Sequence, residues 1–209
     1  MGDYIGERAL SVKKQIEKDL ENIDKQELES FFEGFRNDKR NYSFINYYNK
    51  TVLDKTRIKF SEFSYQWALH LPREFYMGFD KNYDTRINEI KLKKEIKSFH
   101  DRFCIDNRGK RHGSFCSKLF HTFLPDEFPP VDNPIRKHFG LQNEEFITAV
   151  LIIKKGYEMF IEENSKPIRL IKGVLSKDNF SYLRANELSD IRILDMYYWL
   201  SKSRGEKLS

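Results

Sequence analysis

The stretch FPPVDNPIRKHFGL, residues 128–141, sets one carboxylate, Asp132, among three of the chain's six prolines. Proline fixes its own φ and restricts the residue before it. A carboxylate in such a turn leaves the backbone in a defined direction, as a group that stabilises developing positive charge or orients a water must. The same residues also spell a helix start, with Asn133 as cap and Pro134 as first helical residue. Asp132 therefore carries two readings, capping and catalysis, and a helix N-terminus accommodates both because it favours negative charge.

Just upstream, DNRGKRHGS (106–114) brackets Lys110, Arg111 and His112 between Gly109 and Gly113. Glycine permits close backbone approach, and Ser114 is placed to cap the following helix, whose first N–H groups form an anion site. Gly109, Lys110, Arg111, Gly113 and Ser114 together read as a phosphate cradle that positions a nucleic-acid backbone without reading its sequence. The competing reading is an ordinary solvated turn between helices. Lys118 and His121 lie three apart on one helix and can share a face. In a pocket, Lys118 would contact phosphate or base; alternatively, His121 is a hydrogen-bonded core residue. Cys104, Cys116, His112 and His121 fit no standard zinc spacing, and neither a metal nor a cofactor is expected.

The elements that must position these groups read as helices. Ile5, Ala9, Val12, Ile16, Leu20 and Ile23 recur at three- and four-residue steps, as do Leu28, Phe31, Phe32 and Phe35, and then Phe44, Ile45, Tyr48 and Val52. Ser61 is expected to cap a helix carrying Phe63, Trp67 and Leu71, and Thr85 one carrying Ile87, Ile90, Ile96, Phe99 and Phe103. Phe146 to Phe160 and Leu188 to Trp199 mark two more. No sustained period-two segment and no Asn-Gly or Asp-Gly hairpin turn appears. The expected fold is all-α, eight to ten helices in one unit over residues 1–209, with loops near 72–84 and 125–133 and a groove between lobes if there are two.

Composition sets the outer bounds. The 18 Phe and 11 Tyr must largely be core, since aromatic rings bury large apolar areas. No apolar run approaches the roughly 20 residues of a membrane span, and the charged N-terminal stretch has no signal-peptide core. Two cysteines make no disulfide framework, so a reducing cytoplasm is expected. A net charge of +5 is compatible with an anionic partner without demanding one.

The segment SFCSKLFHTFLPDEFPPVDNPIRKHFGL resembles the catalytic-aspartate region of the helix-hairpin-helix DNA glycosylases, the superfamily of endonuclease III and the adenine and 8-oxoguanine glycosylases. Pro130, Val131 and Asp132, an apolar Ile135, and Phe139, Gly140 and Leu141 carry the likeness. Ser117, Lys118, Leu119, His121, Phe123, Pro125, Asp126, Phe128 and Pro129 are similar to a divergent bacterial subgroup. The resemblance implies double-stranded DNA as partner, a flipped-out modified or damaged base, and hydrolysis of its N-glycosidic bond with Asp132 as catalytic carboxylate. Phe115 stands where bifunctional members carry the hairpin lysine, and Lys118 lies only 14 residues before Asp132, closer than in the family. Asn133-Pro134 replaces the family's Thr-His. Monofunctional attack by water is therefore implied, with Asp132 and Lys118 as candidate catalytic residues and His121 and Asn133 as candidate pocket residues. A non-catalytic nucleic-acid-binding module and an interaction component of a bacterial defence system are the competing functions.

Overall fold

The computed structural model describes residues 2–36 and 39–203, excluding the side chains of residues 2, 31, 34–36, 39, 40 and 200–203. Phe31 and Phe35 of the expected second stripe lie outside the described side chains. Among the described residues there is no strand, and the fold is all-α. In chain order the α-helices are α1 (Gly2–Leu20), α2 (Lys25–Arg36), α3 (Lys39–Tyr48), α4 (Phe60–Gln66), α5 (Arg73–Lys81) and α6 (Tyr83–Lys93). They continue with α7 (Ile96–Phe103), α8 (Gly113–Phe123), α9 (Asn133–His138), α10 (Phe146–Glu163), α11 (Ser165–Leu175) and α12 (Asp190–Ser203). A π-helical turn (Asn49–Leu53) extends α3, and two 3₁₀ turns, Asp178–Leu183 and Ala185–Glu187, link α11 to α12.

The stripes seen in the sequence face inward. Ala9, Val12, Ile16 and Leu20 are buried on α1, with Ile5 and Ile23 packed at the edge of the core. The boundaries differ from expectation in three places. Residues 73–81 form α5 instead of a loop. Helix α4 begins at Phe60 and α6 at Tyr83, so neither Ser61 nor Thr85 is a cap; Lys59 and Asn82 occupy those positions without side-chain capping bonds. The run from Ile87 to Phe103 is two helices, because Lys94 turns left-handed (φ 54°) and ends α6.

Helix α8 is the central strut, with Phe115, Cys116, Ser117, Leu119, Phe120 and His121 all buried. Phe115 sits 4.8 Å from Phe79 and 5.2 Å from Phe75, centroid to centroid, in edge-on contacts that account for part of the aromatic load. Helix α10 meets α1 along their length, where Gly156 lets the backbones close up: a Cβ there would lie 2.6 Å from Val12 Cγ1 and 3.1 Å from the Ala9 carbonyl oxygen. Gly156→Ala should therefore destabilise the protein by about 1–3 kcal/mol through overpacking. Urea unfolding would measure this, and an unchanged midpoint would show that α1 can move aside. No described helix is long and apolar enough to cross a membrane.

Candidate functional site

The loop between α8 and α9 is pinned before it reaches Asp132. Ser117, fully buried on α8, donates its hydroxyl to the Pro129 carbonyl (3.1 Å) and accepts the Val131 N–H (2.8 Å). One side chain thus satisfies two buried backbone groups that the prolines leave without secondary-structure partners. Ser117→Ala would orphan both, a loss of about 1–3 kcal/mol in unfolding free energy. A stability equal to wild type would mean that water replaces the hydroxyl.

Asp132 follows in extended conformation (φ −131°, ψ −179°) and is itself the cap of α9: its Oδ1 accepts the Ile135 N–H at 3.0 Å. This corrects the expectation that Asn133 caps. Asn133 is the first helical residue, its Oδ1 accepting from Arg136 Nη1 (3.2 Å), and Pro134 sits where a helix needs no N–H. Only one oxygen of Asp132 is used: among the described residues, Oδ2 has no protein hydrogen-bond partner. Asp132 is half-buried at the edge of a cavity of about 350 Å³, within the size range of small-molecule sites.

That cavity brings together groups from five helices. Helix α8 supplies Ser114 and Lys118, the turn before α9 supplies Pro130 and Asp132, and α9 supplies Asn133, Pro134 and Ile135. Phe44 of α3, Trp67 and Ala68 at the end of α4, and Trp199 of α12 form the aromatic and apolar walls. Arg192 and Asp195, one turn apart on α12, complete it. Lys118 Nζ donates to the Trp67 carbonyl (3.1 Å) and lies 5.5 Å from the centre of the Trp67 ring. Burial lowers its pKa from the ordinary lysine value, opposed by the negative charges of Asp132 and Asp195. The turn presenting that carbonyl is strained, with left-handed φ at Ala68 (50°) and His70 (48°), of order 1–2 kcal/mol each for non-glycine residues.

No protein family, curated protein or solved structure matches this chain. The residues alone therefore carry the functional reading.

Of the expected site residues, Asp132, Lys118, Ser114 and Asn133 meet in this cavity. His121 does not: it is fully buried and belongs to the core. Its Nδ1 faces the Phe128 carbonyl (2.7 Å), which can only accept, so Nδ1 carries the proton and Nε2 accepts from the Tyr48 hydroxyl (2.9 Å). Burial, and next the positive charge of Arg192, push the His121 pKa down to about 3. Among the aromatics near this site, Trp67 lines the cavity, whereas Phe120 and Tyr157 are buried in the core.

The basic hairpin is more structured than its composition implies. Asp106 gathers it, Oδ1 accepting the N–H groups of Arg108 and Lys110 (2.9 Å each) and Oδ2 lying 3.2 Å from His112 Nε2. Gly109 takes φ 77°, a conformation that strains other residues. Arg111 pairs with Asp101 at 2.7 Å, and Lys110 is exposed without an ion pair among the described residues. Gly113 is buried under Phe146, whose Cγ would lie 2.5 Å from an added Cβ, so close packing explains this glycine. Ser114 is not the cap of α8: the helix starts at Gly113 with His112 before it, whose N–H closes the hairpin on the Cys104 carbonyl (2.7 Å). Neither Lys110 nor Arg111 lines the cavity.

Ser117 entered only through the family likeness, and neither Arg192 nor Asp195 was expected in the site. The last two had a visible signal: opposite charges three apart within DIRILDMYYWL, on a helix otherwise apolar at the surrounding positions.

Proposed function

We propose that this protein is a monofunctional DNA glycosylase-like hydrolase that cleaves the N-glycosidic bond of a nucleotide flipped out of the helix. The observation supporting this most strongly is the placement of Asp132. Its carboxylate is anchored through one oxygen by its own helix, has no hydrogen bond to the other oxygen among the described residues, and borders a cavity walled by Phe44, Trp67 and Trp199.

Aromatic walls replace the stacking a base loses on leaving the duplex, a cost of a few kcal/mol. As the bond between C1′ and the base nitrogen breaks, its electron pair goes to the base and the sugar gains oxocarbenium character. The fixed carboxylate of Asp132 stabilises that charge and accepts a proton from the water whose oxygen bonds to C1′. Passing that proton to the departing base restores the carboxylate, and the products are an abasic sugar and the free base. Lys118, on the wall beside Asp132, is the cation offered to the nucleotide's phosphate. The exposed hairpin with Gly109 and Lys110 is the backbone-contacting element in this reading.

The test is incubation of the protein, in excess, with single- and double-stranded oligonucleotides carrying natural, damaged, deaminated and hypermodified bases. Alkali-labile abasic sites and released bases, identified by mass spectrometry, are the expected products. No abasic site across that panel would end the enzyme reading and leave a binding module. Such a module would show salt-dependent DNA affinity that drops on Lys110→Glu.

A further inference from the structure

We propose that the cavity beside Asp132 is one of a pair, and that the second takes the base adjoining the excised one. The protein then acts on two adjacent unpaired nucleotides, in single-stranded or locally melted DNA. This rests on the base-excision reading and names the form of its substrate.

A second cavity, of about 580 Å³, lies against the first. Phe44, Gln66, Ala68 and Trp199 line both, so the two meet along a common wall. The end of α4 shows how that wall is built. Of the consecutive residues Tyr65 to Ala68, Trp67 lines only the first cavity, Tyr65 only the second, and Gln66 and Ala68 line both. Two aromatic rings two positions apart are thereby delivered into neighbouring cavities, one to each.

The turn that follows is strained and firmly held. Its left-handed residues, Ala68 and His70, both line the second cavity. Ser64 ties it back to α4, its carbonyl accepting the Leu69 N–H (2.9 Å) and its hydroxyl the Leu71 N–H (3.3 Å). From the side of the first cavity, Lys118 donates to the Trp67 carbonyl. Strain of this kind persists where the surroundings over-determine it, and it gathers at ligand sites.

The lining selects which part of a nucleotide fits. Among its described residues the second cavity has no lysine, arginine, aspartate or glutamate, so it offers a phosphate no fixed cation. It presents rings and neutral hydrogen-bonding groups instead, which suit the face and edge of a base. Tyr65 is 81% exposed, and among the described residues its ring touches no other ring and its hydroxyl makes no hydrogen bond. A ligand reaches it directly. Gln66 Nε2 lies 3.4 Å from Ser43 Oγ, while its Oε1 is neither bonded among the described residues nor shielded from solvent. Stacking on a tyrosine tolerates any base, so this cavity recognises the unpaired state and not a sequence. In a duplex, a single flipped nucleotide leaves its neighbours stacked. Filling both cavities takes a second nucleotide out of the stack, which a duplex resists and a single strand does not.

The experiment measures, by fluorescence anisotropy, the affinity of the full chain for one oligonucleotide sequence in four forms. These are a single strand, a fully paired duplex, a duplex with one mismatch and a duplex with two adjacent mismatches. The single strand and the double mismatch are expected to bind roughly tenfold or more tightly than the single mismatch. Replacing either of the two mismatched bases with a stable abasic analogue should return affinity to the single-mismatch level. Tyr65→Ala should remove the advantage and Tyr65→Phe, which keeps the ring, should retain it. Equal affinity for the one- and two-mismatch duplexes overturns the proposal. So does an advantage that survives loss of one base, which would trace it to flexible DNA, or one that survives Tyr65→Ala. Binding is read without turnover, so the two failures separate. A two-base preference in a protein that forms no abasic sites would sink the excision reading and leave the paired cavities standing. Abasic sites formed without that preference would do the reverse.

Discussion

Asp132→Asn is expected to lower base release by about a hundred- to a thousandfold while moving the unfolding free energy by no more than about 0.5 kcal/mol. The separation is possible because Asp132 does two jobs through two oxygens. Asparagine caps helices as well as aspartate does, so its side-chain carbonyl can still take the Ile135 N–H that Oδ1 takes now at 3.0 Å. What disappears is the negative charge at the cavity edge and the oxygen that would accept the water's proton. Single-turnover release of the best substrate, together with urea unfolding of both proteins, checks this. A variant that keeps full activity would reduce Asp132 to a cap. A variant that unfolds much more easily would show that the charge itself holds the turn. Asp132→Ala, which removes cap and charge together, should lose the activity and a further ~1 kcal/mol of stability.

The second large effect is a loss of stability on acidification, traceable to His121. In the unfolded chain its imidazole titrates near the ordinary value of 6.5, and in the fold at about 3. Below pH 6.5 the unfolded state therefore binds the proton that the folded state refuses, and stability falls as pH falls. Its stabilisation is complete above 6.5 and exhausted near pH 3, at about 1.4 kcal/mol per pH unit in between. Across the whole window this amounts to about 4–5 kcal/mol, comparable to the net stability of many domains. His112 moves in the same direction through burial, so the measurement has to isolate His121. His121→Gln keeps a donor for the Phe128 carbonyl and an acceptor for the Tyr48 hydroxyl but cannot titrate. The difference in unfolding free energy between wild type and this variant, followed from pH 7 to pH 4, should shrink steadily. A constant difference would mean that His121 is not held neutral in the core.

The helices were legible because their signal is local. Ala9, Val12, Ile16 and Leu20 face the core for the same reason that they recur at helical spacing, and the chain needs no tertiary information to show it. Caps were harder. Ser61, Thr85 and Ser114 have the right chemistry for helix starts, yet each lies inside its helix. At α8 the decision is made by the hairpin closing on Cys104 and by Phe146 covering Gly113, both long-range packing events. At α9 the choice between Asp132 and Asn133 turned on one residue of register, which side-chain preferences do not resolve because both residue types cap well.

By itself, the sequence determined the all-helical class and the place where a restrained carboxylate leaves the backbone. The prolines around Asp132 act through covalent geometry, which is the same in any fold. Only the tertiary structure decided what that carboxylate faces. Phe44, Trp67, Lys118, Arg192 and Trp199 converge on the cavity beside Asp132 from four other helices or their ends. Arg192 stands 60 residues further along the chain. Such convergence depends on how whole helices pack, which no local pattern encodes. The same packing sent His121, three residues from Lys118, into the core instead of the cavity. It also left Arg192 buried with two of its three guanidinium nitrogens lacking a hydrogen-bond partner among the described residues, a state that composition and spacing cannot reveal because it exists only once neighbours have excluded water from it.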